Sequence, residues 1–350
     1  MRRGSCIILL AILVLVPASM CIGGGDSEPN TIKVICAGSL VAPFEAIEQG
    51  FEQKYPGIDV LIEAHGSIQV IRQVTELGQT ADVLAVADFS LIPMLMYGED
   101  EQASWYIKFA TNHLGIAYTE GSAYSDEINV GNWPSIISRE DVLLGFSDPR
   151  FDASGYRTLM ILQLAEAAYG DEDLLESVLG DSFSSKIKVE FEEDAIVIKV
   201  PEILESISDH IVLRGSSIQL LSLLEAGAID YAFEYENVSR YYGLLFLELP
   251  SSIDLSSDVF AVEDKAVAVD IGFKRFASVT PYFIAQKTFY GVTIPNSSKN
   301  KDGAELFVDF LLSEEGKAIL EGTYLNAMDQ PITDNYDGLP TSLREYVGEG

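Results

Sequence analysis

Gly38-Ser39 and Gly66-Ser67 occupy the same place in one local pattern: each follows a short apolar run and opens a stretch with helical spacing. A serine in that position can accept a backbone N–H through its hydroxyl as a helix N-cap, and most such serines bind nothing beyond their own helix. Two of them on neighbouring strands bring two helix N-termini to one sheet edge. N–H donors and positive dipole ends there suit an anion. Asp152, just ahead of Ser154-Gly155, reads from its surroundings as a further helix cap. The loop Arg214-Gly215-Ser216-Ser217, also ahead of a helix, has the form of an anion cradle.

The common catalytic chemistries leave no mark. His65, His113 and His210 are the only histidines and show no paired spacing for a metal. The chain has no phosphate-binding loop ending in Gly-Lys-Ser/Thr, no dinucleotide glycine fingerprint and no nucleophile elbow. A non-enzymatic protein without a cofactor is expected.

These residues need elements to hold them. Ile32–Ala37, Ile58–Ala64 and Ala81–Ala87 are short apolar runs that read as strands. Phe44, Ile47 and Phe51 mark a helix over 43–55, and a second helix runs over 68–77 to Gly78. Strand and helix in alternation mean βαβ units, a parallel sheet and an α/β fold, whose ligands gather at the C-terminal edge of the strands. Further strands are expected around 114–117, 141–146, 227–233 and 290–294. A helix is expected through 158–169, with Leu159, Leu162 and Ala165 inward, and others over 218–225, 304–312 and 316–320. The acidic tracts at 170–176 and 190–194 read as solvated surface.

At 350 residues the chain has room for two domains. Acidic residues outnumber basic ones 54 to 22, for a net charge of -32, so nucleic acid is excluded as a general partner. Arg2 and Arg3, the apolar run 7–16 and the small residues before Cys21 form a signal segment over 1–20. The pattern is that of a lipoprotein cleavage site, with Cys21 carrying lipid and 21–30 as a flexible tether. Cys6 leaves with the signal, so Cys36 remains alone, as a small buried hydrophobe, and no disulfide framework is possible.

Several ordered motifs go further. Ala37-Gly38-Ser39-Leu40 with Pro43-Phe44, Ala81 to Asp88 with Ser90-Leu91-Ile92-Pro93, and Phe109-Ala110-Thr111-Asn112 resemble the extracytoplasmic tungstate/molybdate-binding proteins of archaea. So do Gly145 to Pro149, Gly155-Tyr156-Arg157, Ile229 to Phe233, Tyr290 to Pro295 and Phe310 to Ser313, which carry the similarity through nearly the whole mature chain. The resemblance implies a type II periplasmic-binding-protein fold, two α/β lobes around a hinged central cleft. Lobe 1 would comprise 31–115 plus 287–350 and lobe 2 would comprise 116–286, with crossings near 114–118 and 284–290. It also implies an ABC-type importer as partner, permease and cytoplasmic ATPase together. The protein would be a monomer, lipid-anchored or N-terminally tethered at the extracellular face of the membrane.

By the same resemblance, Ser39 and Ser67 hydrogen-bond the oxyanion and Tyr235 donates its phenolic hydroxyl from the facing lobe. Asp152 approaches the W or Mo centre itself. A carboxylate in an anion site otherwise repels its guest by several kcal/mol, roughly, in a poorly solvated cleft. Ser217 stands where the family supplies a second carboxylate, from Glu. Either four-coordinate tungstate or molybdate is held by hydrogen bonds, or Glu234 or Glu236 reaches in, or the cargo is another oxyanion such as sulfate or phosphate. No lysine or arginine is assigned to the site.

Overall fold

The computed structural model describes residues 30–349 apart from 99, 257–259, 263 and 273–280. The signal segment, Cys6, Cys21 and the tether as far as residue 29 lie outside the described residues.

Along the chain, β1 (Asn30–Ala37) runs through a 3-10 turn at Gly38–Leu40 into α1 (Val41–Lys54). Next, β2 (Ile58–His65) leads into α2 (Ser67–Thr75), and β3 (Val83–Val86) into the short α3 (Leu91–Met96). Then β4 (Ile107–Thr111) and β5 (Leu114–Tyr118) follow each other with only Asn112-His113 between them. The middle of the chain holds α4 (Trp133–Ile137), β6 (Leu144–Ser147), α5 (Ala153–Tyr169), α6 (Leu174–Leu179), β7 (Lys188–Phe191), β8 (Ala195–Val200) and β9 (Ile211–Arg214). A 3-10 turn at Ser217–Leu220 precedes α7 (Leu221–Glu225), and then come β10 (Tyr231–Tyr235), α8 (Glu236–Tyr241) and β11 (Leu245–Leu247). The last part carries β12 (Ala261–Val262), β13 (Lys265–Ile271), β14 (Tyr282–Ile284), β15 (Phe289–Thr293), α9 (Lys301–Leu312), α10 (Glu314–Gly322), β16 (Asn326–Thr333) and β17 (Gly348–Glu349).

These strands make three sheets. The first has the order β17-β16-β4-β15-β3-β1-β2, with β1 parallel to β2 and to β3. The second has the order β11-β5-β10-β6-β9, with β6 parallel to both β10 and β9. The third, β12-β13-β8-β7 with β14 against β13, was not foreseen. The acidic tract at 190–194 is where β7 turns back on β8: Phe191 pairs with Ile196, and Glu192 N–H donates to Ala195 O. The tract is exposed surface, as expected, and charge on an edge strand also guards it against pairing with other chains, which masks the strand in the sequence.

The chain leaves the first sheet at Thr111 and joins the second at Leu114, which pairs with Tyr235. Leu114 and Gly115 therefore belong to the second sheet and not, as expected, to the first lobe. Only Asn112-His113 separates the two strands, so the residue at which one sheet gives way to the other is set by strand pairing and not by a local break. The return runs from Ile284 of β14 to Phe289 of β15.

Sequence periodicity finds the core of the first sheet. Phe44, Ile47 and Phe51 of α1 are all buried. Phe51 meets Phe307 at 5.5 Å and Phe310 at 5.7 Å between ring centroids, both edge-to-face, which is the arrangement aromatic quadrupoles favour. Cys36 is free and buried, and burial pushes its thiol far above the ordinary range. In α5, Leu159, Leu162 and Ala165 are inward as expected, but every residue from Ala153 to Ala165 is buried. The helix contacts β6 and β10 on one side and β13 on another, so it has no solvent face until its last turn. That burial encloses Arg157 as well.

Truncating Phe51 to alanine removes the centre of the aromatic cluster and should cost about 3–5 kcal/mol in urea unfolding. Phe191→Ala, at a side chain 72% exposed on β7, should stay within about 0.5 kcal/mol of wild type in the same measurement.

Candidate functional site

The C-terminal ends of β1, β2 and β3 face those of β6, β9 and β10, and the loops they carry meet. Gly66, between β2 and α2, shows how closely: a Cβ there would lie 2.5 Å from Phe151 O and 2.8 Å from Gly215 O. Both oxygens belong to loops of the second sheet, so any larger residue pushes the two halves apart.

The first turn of a helix has N–H groups without partners inside the helix. In α2 the Gly66 N–H goes to Gln69 Oε1 of the same helix, at 3.3 Å, and the next three are taken from across the gap. Ile68 N and Gln69 N donate to Phe151 O, at 3.0 and 3.3 Å, and Ser67 N donates to Asp152 Oδ1 at 3.2 Å. The other oxygen, Oδ2, accepts from Ser217 N at 3.0 Å. Asp152 does stand at the N-cap position of α5, yet its side chain makes no cap bond to that helix. It caps α2 and the 3-10 turn at Ser217 instead. Burial pushes the Asp152 carboxyl up, and the Ser217 and Ser67 N–H donors pull it back.

Ser39 and Ser67 differ from the expected caps. Ser39 lies inside the 3-10 turn, Ser67 is the first residue of α2, and neither hydroxyl caps its own helix. Each accepts a hydrogen bond from behind: Ser67 Oγ from Ala87 N at 3.1 Å, and Ser39 Oγ from the Tyr290 hydroxyl at 2.8 Å. Tyr235, expected to donate from the facing lobe, follows the same rule, since Arg157 Nη1 donates to its oxygen at 2.7 Å. A hydroxyl has one proton and two lone pairs. Supplied from behind, each of these three keeps its own proton to give, and none has an acceptor for it among the described residues.

Ser217 breaks the pattern. Its hydroxyl donates to Glu234 Oε1 at 2.9 Å. Of the two glutamates considered as substitutes for a missing carboxylate, Glu236 pairs with Arg240 on the flank of α8, at 2.7 Å, and only Glu234 is buried beside Ser217. The expected cradle at 214–217 is not open either. Gly215 N goes to Gln219 Oε1, Ser217 N goes to Asp152, and Arg214 is turned to the exterior.

Arg157 went unseen in the sequence reading, although it sits in the Gly155-Tyr156-Arg157 motif. It is 2% exposed and joins the halves: Nη1 also donates to Ala87 O at 2.7 Å, and Nη2 is 3.2 Å from Asp88 Oδ2. Tyr156 donates its hydroxyl to the same Asp88 oxygen at 2.7 Å, its ring stacked 4.1 Å from that of Phe283. Burial works against the charge on Arg157, but the Tyr235 oxygen and the Asp88 carboxylate outweigh it and raise its pKa. Asn237 adds a further tie, donating to Ser39 O at 2.9 Å, while Asn112 links it to Tyr290. The five residues singled out in the sequence thus fall in one connected network. Asp152 bridges Ser67 and Ser217, and Tyr235 joins them through Arg157 and Ala87. Ser39 is held by Tyr290 and Asn237 and meets Tyr235 through the Tyr290 ring, 6.0 Å between centroids. Ser154, in the first turn of α5, adds a buried hydroxyl without a hydrogen-bond partner among the described residues.

Two α/β bodies that bring polar donors together at facing strand ends define the type II solute-binding fold. Residues 32–324 match the model of the family described as bacterial extracellular solute-binding protein, and the chain belongs to that family. It is 37% identical to an uncharacterized solute-binding protein of Methanoculleus marisnigri, over 91% of this chain and 90% of that one. It is 35% identical to the molybdate/tungstate-binding protein WtpA of Pyrococcus abyssi, over 99% of each. Among solved structures, the periplasmic molybdate-binding protein of Azotobacter vinelandii shares the fold with a TM-score of 0.52 at 15% identity, over 84% of this chain and 98% of that one.

The pairing of Asp88 with Arg157 gives a stability test. Asp88→Ala leaves a buried guanidinium uncompensated and should cost about 3–5 kcal/mol in urea unfolding. The double variant Asp88→Asn/Arg157→Met, which removes both charges, should recover a large part of that loss.

Proposed function

We propose that the protein captures an oxyanion, tungstate or molybdate, between its two halves and hands it to an ABC-type importer. The observation that carries this reading is the direction of the hydrogen bonds. Ser39, Ser67 and Tyr235 are each fed from behind and left with a proton to give, an arrangement that suits a guest made only of acceptors. Similarity to a molybdate/tungstate-binding protein over the whole chain supports the same cargo.

Asp152 narrows the choice. A carboxylate in an anion site is unfavourable unless its oxygen approaches the central atom. Tungsten and molybdenum can expand their coordination to admit it, whereas sulfur and phosphorus do not readily do so. Ser217, in place of a second carboxylate, leaves Asp152 alone to approach the central atom, and it is the residue that keeps sulfate or phosphate as the second reading.

The binding protein works as a monomer, tethered by lipid on Cys21 at the extracellular face and served by a permease and its ATPase. Among the described residues no helix is long and apolar enough to cross a membrane.

Calorimetry with tungstate, molybdate, sulfate and phosphate tests the cargo. Tight binding of the first two is expected, and tight sulfate or phosphate binding without a response to tungstate would transfer the assignment to the second reading. Ser39→Ala, Ser67→Ala and Tyr235→Phe should each weaken binding by roughly tenfold to a hundredfold, the range for a hydrogen bond to a charged group. Ser217→Glu should raise the preference for tungstate over sulfate.

A further inference from the structure

Glu234 sits in the middle of β10, opposite Gly115 of β5, and is wholly buried. One oxygen, Oε1, receives both the Ser217 hydroxyl at 2.9 Å and the Tyr235 N–H at 2.8 Å. The other, Oε2, is buried with no hydrogen-bond partner among the described residues. A carboxylate ion so placed is poorly satisfied: two donors crowd one oxygen and none reaches the second. As a neutral acid the same group has a proton to give, and the Ser217 oxygen is already within reach of it.

The contact between Ser217 and Glu234 can run in either direction with the heavy atoms unmoved. With Glu234 ionised, Ser217 spends its proton on the carboxylate and offers only lone pairs elsewhere, which an oxyanion cannot use. With Glu234 protonated, the acid donates to Ser217 Oγ. The serine is then supplied from behind, just as Ser39, Ser67 and Tyr235 are, and its own proton becomes free.

We propose that Glu234 is a positioning residue that sets the direction of the Ser217 hydroxyl, so that oxyanion capture requires one proton on this carboxyl. The inference rests on the oxyanion reading above. It takes Glu234 to act as a hydrogen-bond donor through Ser217 and assigns it no contact with the anion's central atom. The proton is bound from solution and remains on Glu234 while the ligand stays.

The surroundings favour the neutral form. Burial, with a smaller contribution from nearby Asp152, pushes the carboxyl up to about 8 against the pull of the Tyr235 N–H and the Ser217 hydroxyl. From the region after α8, Tyr242 also feels the Glu234 charge. Neither Asp152 nor Tyr242 supplies a positive charge, and Arg157 makes its contacts with Tyr235, Ala87 and Asp88. The sign follows from linkage: the competent, protonated form is present below the raised pKa and is lost as the pH climbs through it.

Calorimetric titration of the full protein with molybdate, from about pH 6.5 to about pH 9.5, tests this. For the wild type, Kd should be flat below about pH 8 and then weaken roughly tenfold per pH unit, with one proton taken up per anion as read from heats in buffers of different ionisation enthalpy. Glu234→Gln, which keeps the shape and is permanently neutral, should bind with no such slope and no proton uptake. Ser217→Ala should also lose the slope, because no hydroxyl remains to be turned. A flat wild-type profile with tight molybdate binding overturns this inference and leaves the oxyanion reading standing. So does a slope that survives in either variant, whereas a wild type that binds no oxyanion at any pH overturns both.

Discussion

The N-terminus of α2 is the constraint on which the rest of the structure depends. A helix that begins at the edge of a sheet presents N–H groups that must find partners once water is excluded. Here Ser67, Ile68 and Gln69 find them on Phe151 and Asp152, which belong to the other half of the molecule. Because the acceptors come from across the gap, satisfying this helix and bringing the halves together are one event. Gly66 permits it by leaving no Cβ between the two backbones. Asp152 completes it by spanning from α2 to Ser217, so that one carboxylate caps turns from two different sheets.

A second pairing sits beside the first. Asp88 follows β3, and Arg157 and Tyr156 come from α5, yet all three are buried against one another. A pair of charges taken out of water gains little net stability, but losing either partner is expensive. Such a pair therefore favours one arrangement of the two halves over others. It also reaches the site, since Arg157 shares Nη1 between Ala87 O and the Tyr235 oxygen. The guanidinium lies behind the phenol, where it fixes which way the O–H is free to point.

How much of this was legible varies with the kind of information involved. The Gly-Ser pairs after β1 and β2 could be read because strand, turn and helix leave local signals. From its neighbours alone Asp152 reads as a cap, which it is, though for turns other than its own helix. Arg157 was hidden by its setting: an arginine one helical turn into α5 looks like a surface residue until Ala87, Asp88 and Tyr235, from the first and second sheets, close around it. Glu234 was legible only as one of two glutamates that could stand in for a missing carboxylate; its burial beside Ser217 was hidden by alternation, since its neighbours Phe233 and Tyr235 carry the hydrophobic signal of β10. The third sheet was hidden by charge on its edge strand.

Local pattern was enough to set the alternation of strand and helix, the apolar face of α1 and the placing of small polar residues at strand ends, because each of these depends on neighbours a few positions away. Tertiary structure alone decided which donor faces which acceptor. The partners of Ser67, Asp152, Arg157 and Glu234 lie from 17 to 85 positions distant where they are not adjacent. The direction of a hydroxyl proton is fixed by the group behind it, and no local pattern records what that group will be.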